Sequence, residues 1–162
     1  MASKTPDGAG EILIALGANI PGEAGSPLLA LKAALAALEK AGVTVLRVSS
    51  FFETKAWPDP TDPPFINAVA VIRTHLQPVA LMMLLHGVET AHGRKRSAPN
   101  APRTLDIDLI DYQGRVEEGQ VRLPHPRLAE RRFVLEPLRQ VTPGWRHPVS
   151  GLGVDALLAA IG

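Results

Sequence analysis

The chain has 162 residues, 46% hydrophobic and 20% charged, which suits one domain with a buried core and argues against a disordered chain. It has no cysteine, which excludes a disulfide scaffold and a thiolate metal site. The net charge of +1 is unevenly spread: residues 1–93 carry 6 Lys+Arg and 8 Asp+Glu, a balance of −2, whereas residues 94–146 carry 11 and 7, a balance of +4. Clustered arginine points to a phosphate-rich partner, nucleotide or nucleic acid, or simply to a solvated basic face. No run is apolar for long enough to span a bilayer, and the first ten residues lack the apolar centre of a secretion signal, so a soluble cytoplasmic protein with no membrane partner is expected.

Residues 1–10 read as a flexible extension and residues 11–162 as a single domain. EILIALGAN (11–19) predicts a buried strand ending in a glycine turn. SPLLALKAALAALEKAG (26–42) predicts a helix: Ser26 suits the N-cap, Pro27 the first helical position and Gly42 the end, and Leu28, Leu31, Leu35 and Leu38 recur at helical spacing. VTVLRVSSFFET (43–54) alternates and is β-branched, as strands are, whereas the four prolines of WPDPTDPP (57–64) preclude regular structure. FINAVAVIRTH (65–75) predicts a strand, QPVALMMLLHGVETAHG (77–93) a helix, RKRSAPNAP (94–102) a loop and RTLDIDLIDYQG (103–114) a strand. Beyond these lie a short RFVLEPLRQV segment (132–141) and a weak final helix at 153–161. The order β-α-β-β-α-β is the ferredoxin-like α+β pattern, an antiparallel sheet with both helices on one face, here with a C-terminal extension.

Asp106 and Asp108 alternate with Leu105, Ile107 and Leu109. An extended strand would bury the three aliphatic side chains and hold both carboxylates on the open face of the sheet. Like charges so close repel. A hard cation such as Mg²⁺ removes the repulsion and takes water and substrate phosphates as its other ligands, while nearby arginines complete a polyphosphate site. The plainer alternative is that each carboxylate is solvated or forms a surface salt bridge with Arg94, Arg96 or Arg103. The chain has neither a Walker loop nor G-x-G-x-x-G, which excludes P-loop and Rossmann sites. RNA-recognition modules share the element order, but the first strand has no aromatic residue and two acids at the centre of the platform would repel phosphates. A nucleic-acid partner is therefore not expected.

GRKRSAPNAPRTLDIDLIDY (93–112) resembles the signature of the 6-hydroxymethyl-7,8-dihydropterin pyrophosphokinase family of folate biosynthesis. ALGAN (15–19), SSFFET (49–54), PPFINAV (63–69), VETAHGR (88–94) and LPHPRLAERRFVLEPL (123–138) fall in that family's order and spacing, so the likeness covers roughly residues 11–146. It implies an enzyme that moves the two terminal phosphates of ATP to the hydroxymethyl group of a reduced pterin and releases AMP. The resemblance implies two Mg²⁺ ions held by Asp106 and Asp108, phosphate-binding and catalytic roles for Arg94 and Arg103, and an arginine active during loop closure, Arg96. His86, Glu89, Ile107, His125 and Arg131 fall with these arginines in the nucleotide site. Thr54, Trp57, Phe65, Asn67 and Phe133 match the pterin pocket. ATP and the pterin are then the partners of a monomer or weak homodimer.

An aromatic sandwich with an amide at its edge suits a flat, polar heterocycle, although a lone Phe is most often ordinary core. Pro126 stands where some family members have tyrosine, and Asn100 lies near a tryptophan position of others. Loops 57–64 and 94–102 are expected to move in the free protein and to order over bound substrates. A different Mg²⁺-dependent nucleotide-processing enzyme, such as a nucleotidyltransferase, would carry the same acidic pair.

Overall fold

A computed structural model describes residues 10–19, 25–55, 61, 64–92 and 105–162. The expected mobile loops lie almost wholly outside these residues, as do the N-terminal extension and Trp57, Arg94, Arg96 and Arg103. Strand β1 spans Ile12–Ala18, helix α1 Pro27–Lys40, β2 Thr44–Val48, β3 Phe52–Thr54, β4 Phe65–Arg73, α2 Pro78–Ala91 and β5 Asp106–Tyr112. A two-stranded ribbon, β6 (Glu117–Glu118) and β7 (Arg122–Leu123), follows, then a 3₁₀ turn at Leu128–Glu130 and helices α3 (Arg132–Val141) and α4 (Val154–Ala160).

Helix α1 begins as its sequence dictates. Ser26 is extended, its Oγ accepts the Leu29 N–H at 3.1 Å, and Pro27 follows where no N–H is needed. Gly42, just beyond the helix, has φ +94, a conformation open to glycine at no steric cost. The strands pair in the order β2-β4-β1-β5, all antiparallel, with β3 also on β4. This is the expected ferredoxin-like order. The single strand expected over 43–54 is instead broken at residues 49–51. Ser49 bridges the break: its N–H donates to the Val69 carbonyl at 2.9 Å and its Oγ accepts the Val69 N–H at 3.0 Å.

One sheet face buries Ile12, Ile14, Leu16, Ile72, Ile107 and Leu109 against Leu31 and Leu38 of α1 and Leu81 and Leu85 of α2. The other face is only partly open. Leu13, Val69, Val71 and Ile110 pack there under Leu135 and Leu138 of α3, Leu157 and Leu158 of α4, and Trp145. The C-terminal extension is thus a second layer. A bulge in β5 permits it: Leu13 faces Asp111 while Ile14 faces Leu109, which leaves Ile110 as the extra residue. Asp111 also turns into this layer, where Trp145 Nε1 donates to it at 2.8 Å and the Gly114 N–H at 3.1 Å. Burial raises the Asp111 pKa, opposed by these two donors.

Candidate functional site

The second layer stops short of one end of the sheet, and a cavity of about 200 Å³ opens there. Three strands form its floor. Asn67 on β4, Gly17 on β1 and Asp106 on β5 stand directly opposite one another, and so do Val69, Ala15 and Asp108. Residues opposite in an antiparallel sheet share a face, and neighbouring strands lie about 4.8 Å apart. Asn67 and Asp106 are therefore about 10 Å apart across a strand that offers only a hydrogen and a methyl group. The missing side chain matters: a Cβ on Gly17 would sit 2.7 Å from Asn67 Oδ1. Gly17 lies inside β1, paired on both sides, and does not form the turn expected from its sequence.

Thr54 and Lys55 from the end of β3, with Phe65, make one wall; Arg131, Phe133 and Val134 from the start of α3 make the other. Asn67 Nδ2 donates to Thr54 Oγ1 at 3.0 Å, which fixes the plane of the amide. The Arg131 guanidinium lies over the Phe133 ring, 5.5 Å from its centre, and its nitrogen is 3.7 Å from Asp108 Oδ2. Both groups are part-exposed, so this ion pair is weak and readily exchanged for a ligand. A larger groove of about 580 Å³ continues from the cavity past Phe52, Glu53 and Glu136, and shares Thr54, Lys55, Arg131 and Phe133 with it.

Asp106 and Asp108 both line the cavity, while Leu105, Ile107 and Leu109 are buried on the helix side, as the alternation predicts. Among the described residues no three His, Asp or Glu side chains converge. The two aspartates offer an all-oxygen donor set, which fits Mg²⁺, an ion that takes water and phosphate oxygens as its other ligands.

The expected nucleotide residues divide. Arg131 lines the cavity; His86, Glu89, Ile107 and His125 do not. Glu89 is only 2% exposed, and its Oε2 accepts the Ile107 N–H at 2.6 Å, clamping β5 midway between the two aspartates. The Ile107 side chain is in the core, so any contact with a nucleotide would have to be made by its main chain. His86 is half-buried one turn before Glu89. His125 is tethered to the bulge, its N–H donating to the Ile110 carbonyl at 2.8 Å. Its Nδ1 accepts the Arg127 N–H at 3.1 Å, which leaves the ring proton on Nε2. Burial and the Arg131 charge lower its pKa to about 4, against the opposing pull of Asp106. The imidazole is neutral at pH 7. Lys55, Ala15, Gly17 and Val134 also line the cavity and were not singled out as site residues from sequence; the motif ALGAN was the one signal for Ala15 and Gly17.

Paired acids facing a small walled cavity suit a phosphoryl-transferring enzyme better than a platform that reads RNA. Residues 13–143 match the family described as 7,8-dihydro-6-hydroxymethylpterin-pyrophosphokinase (HPPK). The chain is 37% identical to a 2-amino-4-hydroxy-6-hydroxymethyldihydropteridine pyrophosphokinase of Synechocystis over 92% of its own length and 75% of the relative's. It is 38% identical to the protein of that name in Bacillus subtilis, over 79% of this chain and 75% of that one. It is also similar to the folic acid synthesis protein fol1 of Pneumocystis carinii, 32% identical over 93% of this chain but only 20% of that much longer protein. The chain belongs to the HPPK family and has its activity, pyrophosphoryl transfer from ATP to hydroxymethyldihydropterin in folate synthesis. Among the described residues no helix is long and apolar enough to cross a membrane.

Proposed function

We propose that the cavity holds the pterin, with Phe65 and Phe133 on opposite faces of the ring and Asn67 and Thr54 at its polar edge, and that Trp57 adds to this pocket. The observation that carries this assignment is the register of Asn67, Gly17 and Asp106. A flat ring held by the amide at one end of that row extends across Gly17, and its hydroxymethyl arm arrives at Asp106 and Asp108.

We assign those two carboxylates to Mg²⁺, two ions in all, whose chemistry there would be to neutralise the triphosphate and orient it. Around the phosphates, Arg131 exchanges its weak pair with Asp108 for phosphate oxygens, and His125 offers a neutral Nε2–H donor. Arg94, Arg96 and Arg103 join this set; Glu89 acts by holding β5 through Ile107. Transfer joins the hydroxymethyl oxygen to the β-phosphorus and breaks its bond to the oxygen that leaves with AMP; the hydroxyl proton is released. The walls orient both substrates and keep water from the reacting phosphorus. We place the reaction in the cytoplasm, where ATP is abundant, on a monomer or weak homodimer. Titration with the pterin, alone and with an inert ATP analogue plus Mg²⁺, tests the assignment: saturable pterin binding that tightens with the analogue is expected, and no pterin binding in either state would refute it.

A further inference from the structure

Helix α3 and strand β3 run beside one another, and the 580 Å³ groove lies between them: Phe52, Glu53, Thr54 and Lys55 line it from the strand side, Arg132, Phe133, Glu136 and Pro137 from the helix. At one end the groove opens into the cavity between Thr54 and Phe133. Beyond the groove's other end, α3 is tied to the break just before β3 by a reciprocal pair of hydrogen bonds. The Ser50 N–H donates to Gln140 Oε1, and Gln140 Nε2 donates to Ser50 Oγ at 3.1 Å. Gln140 follows Phe133 by seven residues, two helical turns, so both project from the same side of α3, about 10 Å apart. Ser50 precedes Thr54 by four residues, about 13 Å of extended chain. Beside this pair, Arg47 Nε donates to the Val141 carbonyl at 3.0 Å and steadies the helix end.

We propose that the Gln140–Ser50 pair is a positioning device: it forms the apex of a wedge whose open end is the pterin pocket, and so sets the spacing of the pocket's two walls. Thr54 and Asn67 stand on the sheet side of that spacing, Phe133 and Arg131 on the helix side. A ring stacked on Phe133 and bonded at Asn67 senses a change of a few tenths of an ångström; a triphosphate held mainly at Asp106 and Asp108 on the central sheet senses it far less, because the long Arg131 side chain can follow the phosphates. The inference rests on the pterin site proposed above.

Steady-state kinetics with each substrate varied test it. Gln140→Ala should raise the pterin KM about three- to tenfold, the scale of one or two lost hydrogen bonds, with the ATP KM and kcat within about twofold of the parent. Gln140→Glu should restore the pterin KM, because a carboxylate still accepts the Ser50 N–H and the Ser50 hydroxyl can turn to donate. Should the alanine variant not fold, Gln140→Met keeps the stem, removes both bonds and should give the same shift. An unchanged pterin KM in the alanine or methionine variant overturns the inference, as does an equal rise in both KM values or a failure of glutamate to rescue. Phe133→Ala separates the two levels. If it leaves the pterin KM unchanged, the pterin site itself is wrong; if it raises that KM and Gln140→Ala does not, only the wedge is wrong.

Discussion

Gly17 is the residue on which the cavity depends most. Its neighbours across the sheet are Asn67 and Asp106, and an added methyl would meet Asn67 Oδ1 at 2.7 Å. Alanine suits a strand better than glycine, which offsets part of the cost of displacing the Asn67 amide from Thr54, so Gly17→Ala should still fold. It should nevertheless weaken pterin binding about tenfold or more, by turning the amide out of line and leaving the ring edge unpaired. Calorimetric titration with the pterin checks this, and parental affinity would show that Asn67 does not read the ring. Asp106→Ala and Asp108→Ala should each abolish nearly all turnover while the melting temperature changes little, since the repulsion of like charges that each relieves is offset by lost contacts such as the weak Asp108–Arg131 pair. Near-normal turnover of either variant would remove the aspartates from the chemistry.

At the scale of elements, β5 shows how far a pattern can be read and where it stops. Strict alternation placed Leu105, Ile107 and Leu109 inward and Asp106 and Asp108 toward the cavity, as observed. It gave no sign of the bulge at Ile110, because a bulge depends on what the partner strand and the covering layer accept. The break at residues 49–51 was hidden for a related reason: Ser49 replaces ladder bonds with its own hydroxyl, and the residues around it remain good strand formers. Helix α3 read only as a short segment, yet Val134, Leu135, Leu138 and Val141 form one apolar stripe that packs with Leu13, Val69, Val71 and Ile110 of the sheet. Glu89 shows a contact that its motif did not announce: it is buried and holds the Ile107 N–H between the two aspartates. Glu89→Ala should leave that N–H unpaired and cost about 1–3 kcal/mol of stability, measured by urea unfolding. An unchanged midpoint would mean that β5 does not need the clamp.

For the molecule as a whole, the ferredoxin-like order was legible from periodicity and turn residues, and the family from its motifs. The second layer was not, since its packing is decided by contacts between segments distant in sequence, such as Leu13, Val69 and Val71 with Leu135 and Leu138. Charge adds a global signature. The folded-state pKa of His125 is lowered from 6.5 to about 4, mainly by burial, so between those values the unfolded chain binds a proton that the folded chain refuses. Stability should therefore rise with pH from about 4 to about 6.5 and be lost as pH falls through that window. His125→Gln should flatten part of this slope in urea midpoints measured across the window, and identical slopes would show that His125 is not buried as described.

The central claim is that one cavity, walled by Phe65 and Phe133 and floored by Gly17, binds the pterin. Its most direct test is the affinity of Phe133→Ala for each substrate taken separately. Stacking on an aromatic ring is worth roughly 1–3 kcal/mol, so pterin binding should weaken by about ten- to a hundredfold while ATP binding, measured without pterin, stays within about twofold. Equal weakening of both ligands, or none for the pterin, would make Phe133 an ordinary core residue and contradict the account.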